Sequence, residues 1–176
     1  MSPVWTIGHS TRTLTDFLGL LAADDIEAIA DVRRYAGSRR WPHFGHDALA
    51  ASLASHGVEY VWLPELGGRR KPLVDSPNTG WRSAPFRGYA DYMATGPFAD
   101  GLVVLVNLAL GMRTAIMCAE AVWWRCHRGL IADVLRWLGF EVIHILGPTS
   151  SSPHPYTSAA HIVAGRLSYA PRTRAP

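Results

Sequence analysis

Five short apolar runs, at residues 4–7, 28–32, 58–63, 114–117 and 142–146, recur along the chain with helical patterns between them. No other feature constrains the fold as much. Short continuous apolar runs suit strands buried on both faces, and strands that alternate with helices assemble into a parallel sheet covered by helices. The intervening spacing predicts a helix over 14–23, capped by Thr13, with Leu14, Phe17, Leu18 and Leu21 inward. Further helices are expected over 47–56 (Leu49 and Leu53 inward), over 86–93 and 98–110 with a break at Gly96 and Pro97, from Gly129 to about Leu138, and over 156–167. Residues 72–85 and 147–155 are rich in Pro, Gly, Asn and Ser and read as loops. The expected architecture is α/β: a single three-layer domain over 1–169, with a mostly parallel five-stranded sheet flanked by helices, and a flexible tail over 170–176.

With 48% apolar residues in 176, the chain is long enough and apolar enough to bury a core, which excludes general disorder. Two cysteines do not make a disulfide framework and suit a reducing compartment. The opening MSPVWTIGHS lacks the basic region and apolar run of a signal peptide, and the apolar run over 101–112 is too short for a bilayer and contains Asn107. A cytoplasmic chain with no membrane partner is the expectation. The formal charge is +3 and the pI about 9.1, carried almost wholly by arginine. Arginine favours planar, bidentate partners such as carboxylate and phosphate.

In open α/β sheets ligands bind beyond the carboxyl ends of the strands, and the polar exceptions in this sequence fall there. His9 and Ser10 follow the first strand, Asp31 and Arg33 close the second, Glu65, Gly67 and Gly68 follow the third, and Cys118 and Glu120 follow the fourth. The stretch RTAIMCAEAVWWRCHR (113–128) sets both cysteines on one strand-to-helix connection. Cys126 falls near a helix N-terminus, where the dipole favours a thiolate. The candidate catalytic set is therefore Cys126 as nucleophile or redox group, Glu120 as acid or base, and Cys118 and His127 beside them. His9, Ser10, Arg33, Arg39, Glu65, Gly67, Gly68 and Arg128 form the candidate substrate-binding set.

Simpler readings stand next to these. Glu65 and Glu120 suit carboxylate anchors for Arg33 and Arg128, Gly67–Gly68 suits a tight turn, and His144 suits a core histidine. The spacing of Cys118, Cys126, His127, His9 and His144 matches no closed zinc pattern, so no metal ligand or cofactor is assigned. Arginines in several loops, with Trp41, Phe44, Trp81 or Trp123 as stacking surfaces, suit an anionic small molecule or a nucleic-acid backbone. An open sheet with exposed tryptophans is compatible with a homodimer.

The pieces TIGHS (6–10), DVR (31–33), Ser38-Arg39, LPELGG (63–68), FRGYADYM (86–93), CAE (118–120) and CHR (126–128) follow one another over 4–146. In this order they resemble the domain-of-unknown-function 488 family. The resemblance implies a compact α/β fold with a shared polar site. The connector between CAE and CHR departs from it, because Ala121, Val122, Trp123 and Trp124 stand where family members tend to be more polar. Three functions follow as expectations: an enzyme acting on a phosphate-bearing, nucleotide or nucleic-acid substrate; a non-catalytic nucleic-acid or nucleotide-binding module; and a metal or redox sensor using Cys118 and Cys126.

Overall fold

The computed structural model describes residues 3–172. Its elements are β1 (Val4–Gly8), α1 (Leu14–Ala23), β2 (Ala28–Asp31), α2 (His46–Ala54), β3 (Glu59–Trp62), α3 (Ala84–Tyr92), α4 (Gly96–Gly111), β4 (Thr114–Cys118), α5 (Arg128–Trp137), β5 (Val142–Gly147), β6 (Ser150–Pro153), β7 (His161–Val163) and β8 (Arg166–Ser168). The sheet runs β3-β2-β4-β1-β5-β6, with parallel pairing throughout except the antiparallel β5–β6 edge. This is the expected α/β, mostly parallel, three-layer arrangement, with a sixth strand where a loop was read over 147–155.

Successive side chains on a strand face opposite ways, and this splits the core in two. Ala115 and Met117 of β4 join Trp5, Ile7, Phe17, Leu21 and Leu49, under α1 and α2. Ile116 and Cys118 face the other way, among Leu105, Leu130, Ile131 and Leu135 of α4 and α5. The helix after β1 therefore lies on one face of the sheet and the helix after β4 on the other, while β1 and β4 are neighbours in register, Gly8 opposite Cys118. Strands whose connections leave in opposite directions open a crevice at their carboxyl ends. The two cysteines stand in that crevice.

The helix expected over 156–167 is not formed. Residues 161–168 instead make the β7–β8 hairpin, turned by Ala164 and Gly165, both at positive φ (49° and 77°). Two consecutive left-handed residues match the twist of paired strands, and a helix cannot contain them. Of the tail expected over 170–176, residues 173–176 lie outside the described residues, while the Arg172 guanidinium reaches the Ala160 carbonyl. No single helix among the described residues is long and apolar enough to cross a membrane, and α3 and α4, which together have the length, meet at 80°.

A buried polar chain pins this C-terminal segment to α5. Asp133, fully buried, accepts hydrogen bonds from His154 Nε2 (2.9 Å), the Thr157 N–H (2.8 Å), the Thr157 hydroxyl (2.6 Å) and the Tyr169 hydroxyl (2.9 Å). His154 Nδ1 is thereby left to accept from His144 Nε2 (2.8 Å), and His144 Nδ1 accepts from the Thr6 hydroxyl (2.7 Å). His144 is the core histidine expected from its strand position. Burial, with His154 and Arg128 nearby, pushes its imidazole down to about 2. An unfolded histidine takes up a proton near pH 6.5, so between those values the unfolded state binds more protons than the folded one. This contribution to stability is complete above about pH 6.5 and declines as pH falls. A urea-unfolding midpoint that decreases from pH 7.5 to pH 5 is the expected result, and a midpoint that does not move across that interval would contradict it.

Candidate active site

The crevice is closed over by close backbone approach. A Cβ on Gly8 would lie 1.8 Å from the Glu120 carbonyl oxygen, so only glycine lets the segment after β4 cross the end of β1. The His9 and Ser10 N–H groups extend the pairing by donating to the Cys118 and Ala119 carbonyls (3.0 and 2.9 Å), and the Val32 N–H donates to Met117 (3.0 Å). The exits of β1, β2 and β4 are thus held together.

Asp31, rather than a glutamate, is the partner of Arg33. Its carboxylate takes the Arg33 Nε at 2.8 and 3.0 Å and also the Nη2, with the Tyr60 hydroxyl at 2.6 Å. Arg33 Nη1 donates to the Phe44 carbonyl (2.8 Å) and lies 3.5 Å from His9 Nε2. Most of the Arg33 donors are therefore occupied within the protein, and its expected role as an anion clamp is reduced to one edge of the guanidinium. His9 stacks on Phe44 (4.3 Å) and donates its Nδ1–H to the Ser10 carbonyl (3.0 Å). Burial lowers its pKa, and the Arg33 charge adds to this, so Nε2 is a lone-pair acceptor at neutral pH.

Arg128 is 1% exposed and has no carboxylate partner among the described residues, contrary to the anchoring expected from Glu65 or Glu120. Its Nη1 donates to the carbonyls of Ile7 (3.0 Å) and Glu120 (3.1 Å), its Nη2 to that of Ala121 (3.4 Å), and its buried Nε has no partner. Glu120 contributes its backbone while its side chain is exposed, and Glu65 is exposed with its Cβ against the Gly101 position of α4. A buried guanidinium keeps its proton, so a neighbouring group must carry the balancing charge.

The titratable groups beside the Arg128 guanidinium are the two thiols. A hydrogen bond from Cys126 holds the Cys118 thiol well below its ordinary range, aided by His127 and Arg128 and against the burial penalty. The same hydrogen bond, with burial, pushes the Cys126 thiol up. The two thiols are pushed in opposite directions, Cys118 down and Cys126 up, whereas the helix N-terminus led to the expectation of ionisation at Cys126. That N-terminus still engages Cys126, whose Sγ accepts the Arg128 N–H (3.5 Å). His127 Nε2 lies 2.9 Å from the Val32 carbonyl, which only accepts, so this nitrogen carries the proton. In the tautomer that donates to Val32 only through Nε2, Nδ1 presents a lone pair to Cys126 Sγ at 3.6 Å. A Cβ on Gly68 would lie 2.7 Å from that Nδ1, and one on Gly67 would lie 2.5 Å from the Arg34 Cα. Close packing, rather than the expected tight turn, requires these glycines, since Gly67 has an ordinary φ of −67°.

The sulfurs and a His127 ring nitrogen lie within 4.8 Å of one another, a spacing open to a thiophilic ion. Arg128 opposes a dication at the same place.

These groups form the floor of a cavity of about 500 Å³, a size that suits a small-molecule ligand. His9, Arg33, Gly68, Cys118, Cys126 and His127 line it, with Glu120 at the edge. Ser10, Arg39, Glu65, Gly67 and Arg128 do not line it, although Ser10, Gly67 and Arg128 hold residues that do. Arg69, one of the loop arginines expected around the mouth, lines the cavity, together with Arg125 and Tyr89, which were not expected there. The Arg125 and Arg69 guanidinium groups have no hydrogen-bond partner among the described residues, and both residues are exposed and line the cavity, while Tyr89 fixes the wall by donating to the Leu66 carbonyl (2.6 Å) beside the His127 ring (5.1 Å). Its place in FRGYADYM, one turn from Phe86, was the available signal.

The profile of the Domain of unknown function DUF488 matches residues 13–135, well over half of the chain. The chain belongs to this family. No curated protein and no solved structure matches it. The DUF488 span takes in Asp31, Arg33, both cysteines, His127 and Arg128, and leaves out His9 and the β5–β8 segment. Nearly the whole floor of the cavity is therefore DUF488 sequence.

Proposed function

We propose that this DUF488 chain is an enzyme whose thiolate, held on Cys118 and shared by hydrogen bonding with Cys126, reacts with an anionic small-molecule substrate in the cavity. The observation that carries this reading is the Arg128 guanidinium, buried beside two thiols with no carboxylate partner among the described residues. A structural arginine in a fold of this kind is ordinarily matched by an acid, as Arg33 is by Asp31. A reactive thiolate needs the environment found here: a cation, a hydrogen-bond donor and an opening. His127 Nδ1 serves as the general base of the site.

Substrate charge follows from Arg69 and Arg125 at the opening, and an aromatic or otherwise flat portion follows from Trp41, Phe86 and Tyr35 along the walls. A nucleotide meets both requirements. Alkylation by iodoacetamide with and without adenosine monophosphate tests this reading. Cys118 is expected to alkylate faster than an ordinary thiol at neutral pH, and adenosine monophosphate is expected to slow it, with the protection weakened by Arg125→Ala. Two cysteines that both react slowly, with or without ligand, would contradict the proposal. Protection by poly-uridine RNA alone, lost steeply with salt, would favour a nucleic-acid-binding module instead.

A further inference from the structure

A mechanism that uses a single thiolate gives Cys126 no step of its own. Cys126 is as buried as Cys118 (4% and 7% exposed), lines the same cavity, and has its sulfur within 4.8 Å of the other. Arg128, although two residues beyond Cys126, turns its donors to the carbonyls of Ile7, Glu120 and Ala121, and so does not cradle a phosphoryl group being transferred from Cys126. The lone pair at His127 Nδ1 lies beside Cys126 Sγ, where a base is needed only if Cys126 itself loses its proton.

We infer that Cys118 and Cys126 work as a dithiol that reduces an anionic disulfide of small-molecule size, with Cys118 attacking and Cys126 resolving. This rests on the thiolate reading above and names its reaction. In the first step the Cys118 thiolate attacks one sulfur of the substrate R–S–S–R′. The S–S bond breaks, Cys118–S–S–R forms, and R′S⁻ leaves with the electron pair and takes a proton from solvent. In the second step His127 Nδ1 removes the Cys126 proton and the new thiolate attacks Cys118 Sγ. The Cys118–Cys126 disulfide forms, and RS⁻ leaves and takes the proton from the imidazolium. The substrate disulfide gains two electrons and becomes two thiols, the protein dithiol loses two, and a low-molecular-weight thiol restores the reduced pair. Such disulfide exchange is fastest when an ionised attacking thiol and a nearby resolving thiol share one site. Arg69 and Arg125 at the opening select an anionic substrate.

The probe is 5,5′-dithiobis(2-nitrobenzoate), a dianionic aromatic disulfide, followed by release of thionitrobenzoate and by intact mass under non-reducing conditions. Wild-type protein is expected to release two thionitrobenzoates per chain, carry no adduct, and lose the mass of two hydrogens. Cys126→Ser is expected to release one and keep a stable thionitrobenzoate adduct on Cys118, and Cys118→Ser to react at least tenfold more slowly. Two adducts on the wild-type chain, one per cysteine, would overturn the inference. In that event, alkylation of Cys118 by iodoacetamide separates the two claims: rapid alkylation leaves the thiolate enzyme standing without dithiol chemistry, and slow alkylation removes both. Circular dichroism of each serine variant shows whether it has folded, and in a variant that has not, the wild-type adduct count alone decides.

Discussion

Asp133→Ala is expected to lower the unfolding free energy by about 3–5 kcal/mol, the cost of breaking a buried, fully hydrogen-bonded polar pair. Asp133 is wholly buried and is the sole acceptor for four donors from three separate residues: His154 Nε2, the Thr157 N–H and hydroxyl, and the Tyr169 hydroxyl. Each buried donor left unsatisfied costs about 1–3 kcal/mol, less where relaxation or entering water replaces the acceptor. The loss also releases the segment carrying β7 and β8 from α5, since Thr157 and Tyr169 bracket that hairpin. Against a typical stability of about 5–15 kcal/mol, the variant should be marginal. Asp133→Asn, which keeps one acceptor oxygen and sets an amide against the remaining donors, should fall between. Urea denaturation followed by tryptophan fluorescence measures both. A loss below about 1 kcal/mol for Asp133→Ala would mean that the polar chain contributes little beyond packing.

Arg128→Met should have the largest effect on the site itself. Methionine fills part of the volume without the charge, so the thiolate loses its balancing cation and the carbonyls of Ile7, Glu120 and Ala121 lose their donor. Removal of an opposite charge at close range shifts a pKa by about 1–3 units, upward for the Cys118 thiol. Alkylation by iodoacetamide at neutral pH should then slow by about ten- to a thousandfold, and its pH profile should move to higher pH by the same interval. Arg128→Lys keeps the charge with fewer donors and should recover part of the ionisation. An unchanged pH profile in a folded Arg128→Met protein would show that the cation does not hold the thiolate.

The layout of the sheet was legible because its signal is local. Continuous apolar runs such as 28–32 and 114–117 mark strands buried on both faces, and the reactive residues that follow them had to meet at one edge of a parallel sheet. What depended on distant partners was not legible. Arg128 reads as a residue in need of an acid, and nothing in spacing announces that carbonyls from two other segments surround it. Asp133 stands within an apolar helical pattern, with its partners 21 to 36 residues further along, beyond the reach of any periodicity. The segment 156–167 carries an apolar pattern short enough to fit helix or hairpin, and the decision falls to Ala164 and Gly165, whose left-handed conformations only the folded chain reveals. For the cysteines, sequence placed Cys126 at a helix N-terminus, whereas it could not show that the Cys118 thiol, brought beside it by the fold, is the one pushed down.

The most direct measurement is a titration of the wild-type protein, reduced and free of added ligand, followed by the ultraviolet absorbance of its thiolates. One thiolate per chain already present at neutral pH, and a second appearing only well above the ordinary thiol range of about 8.5, is the predicted result. Two thiols ionising together near that range would show that Arg128 is balanced elsewhere and that the crevice holds no activated cysteine.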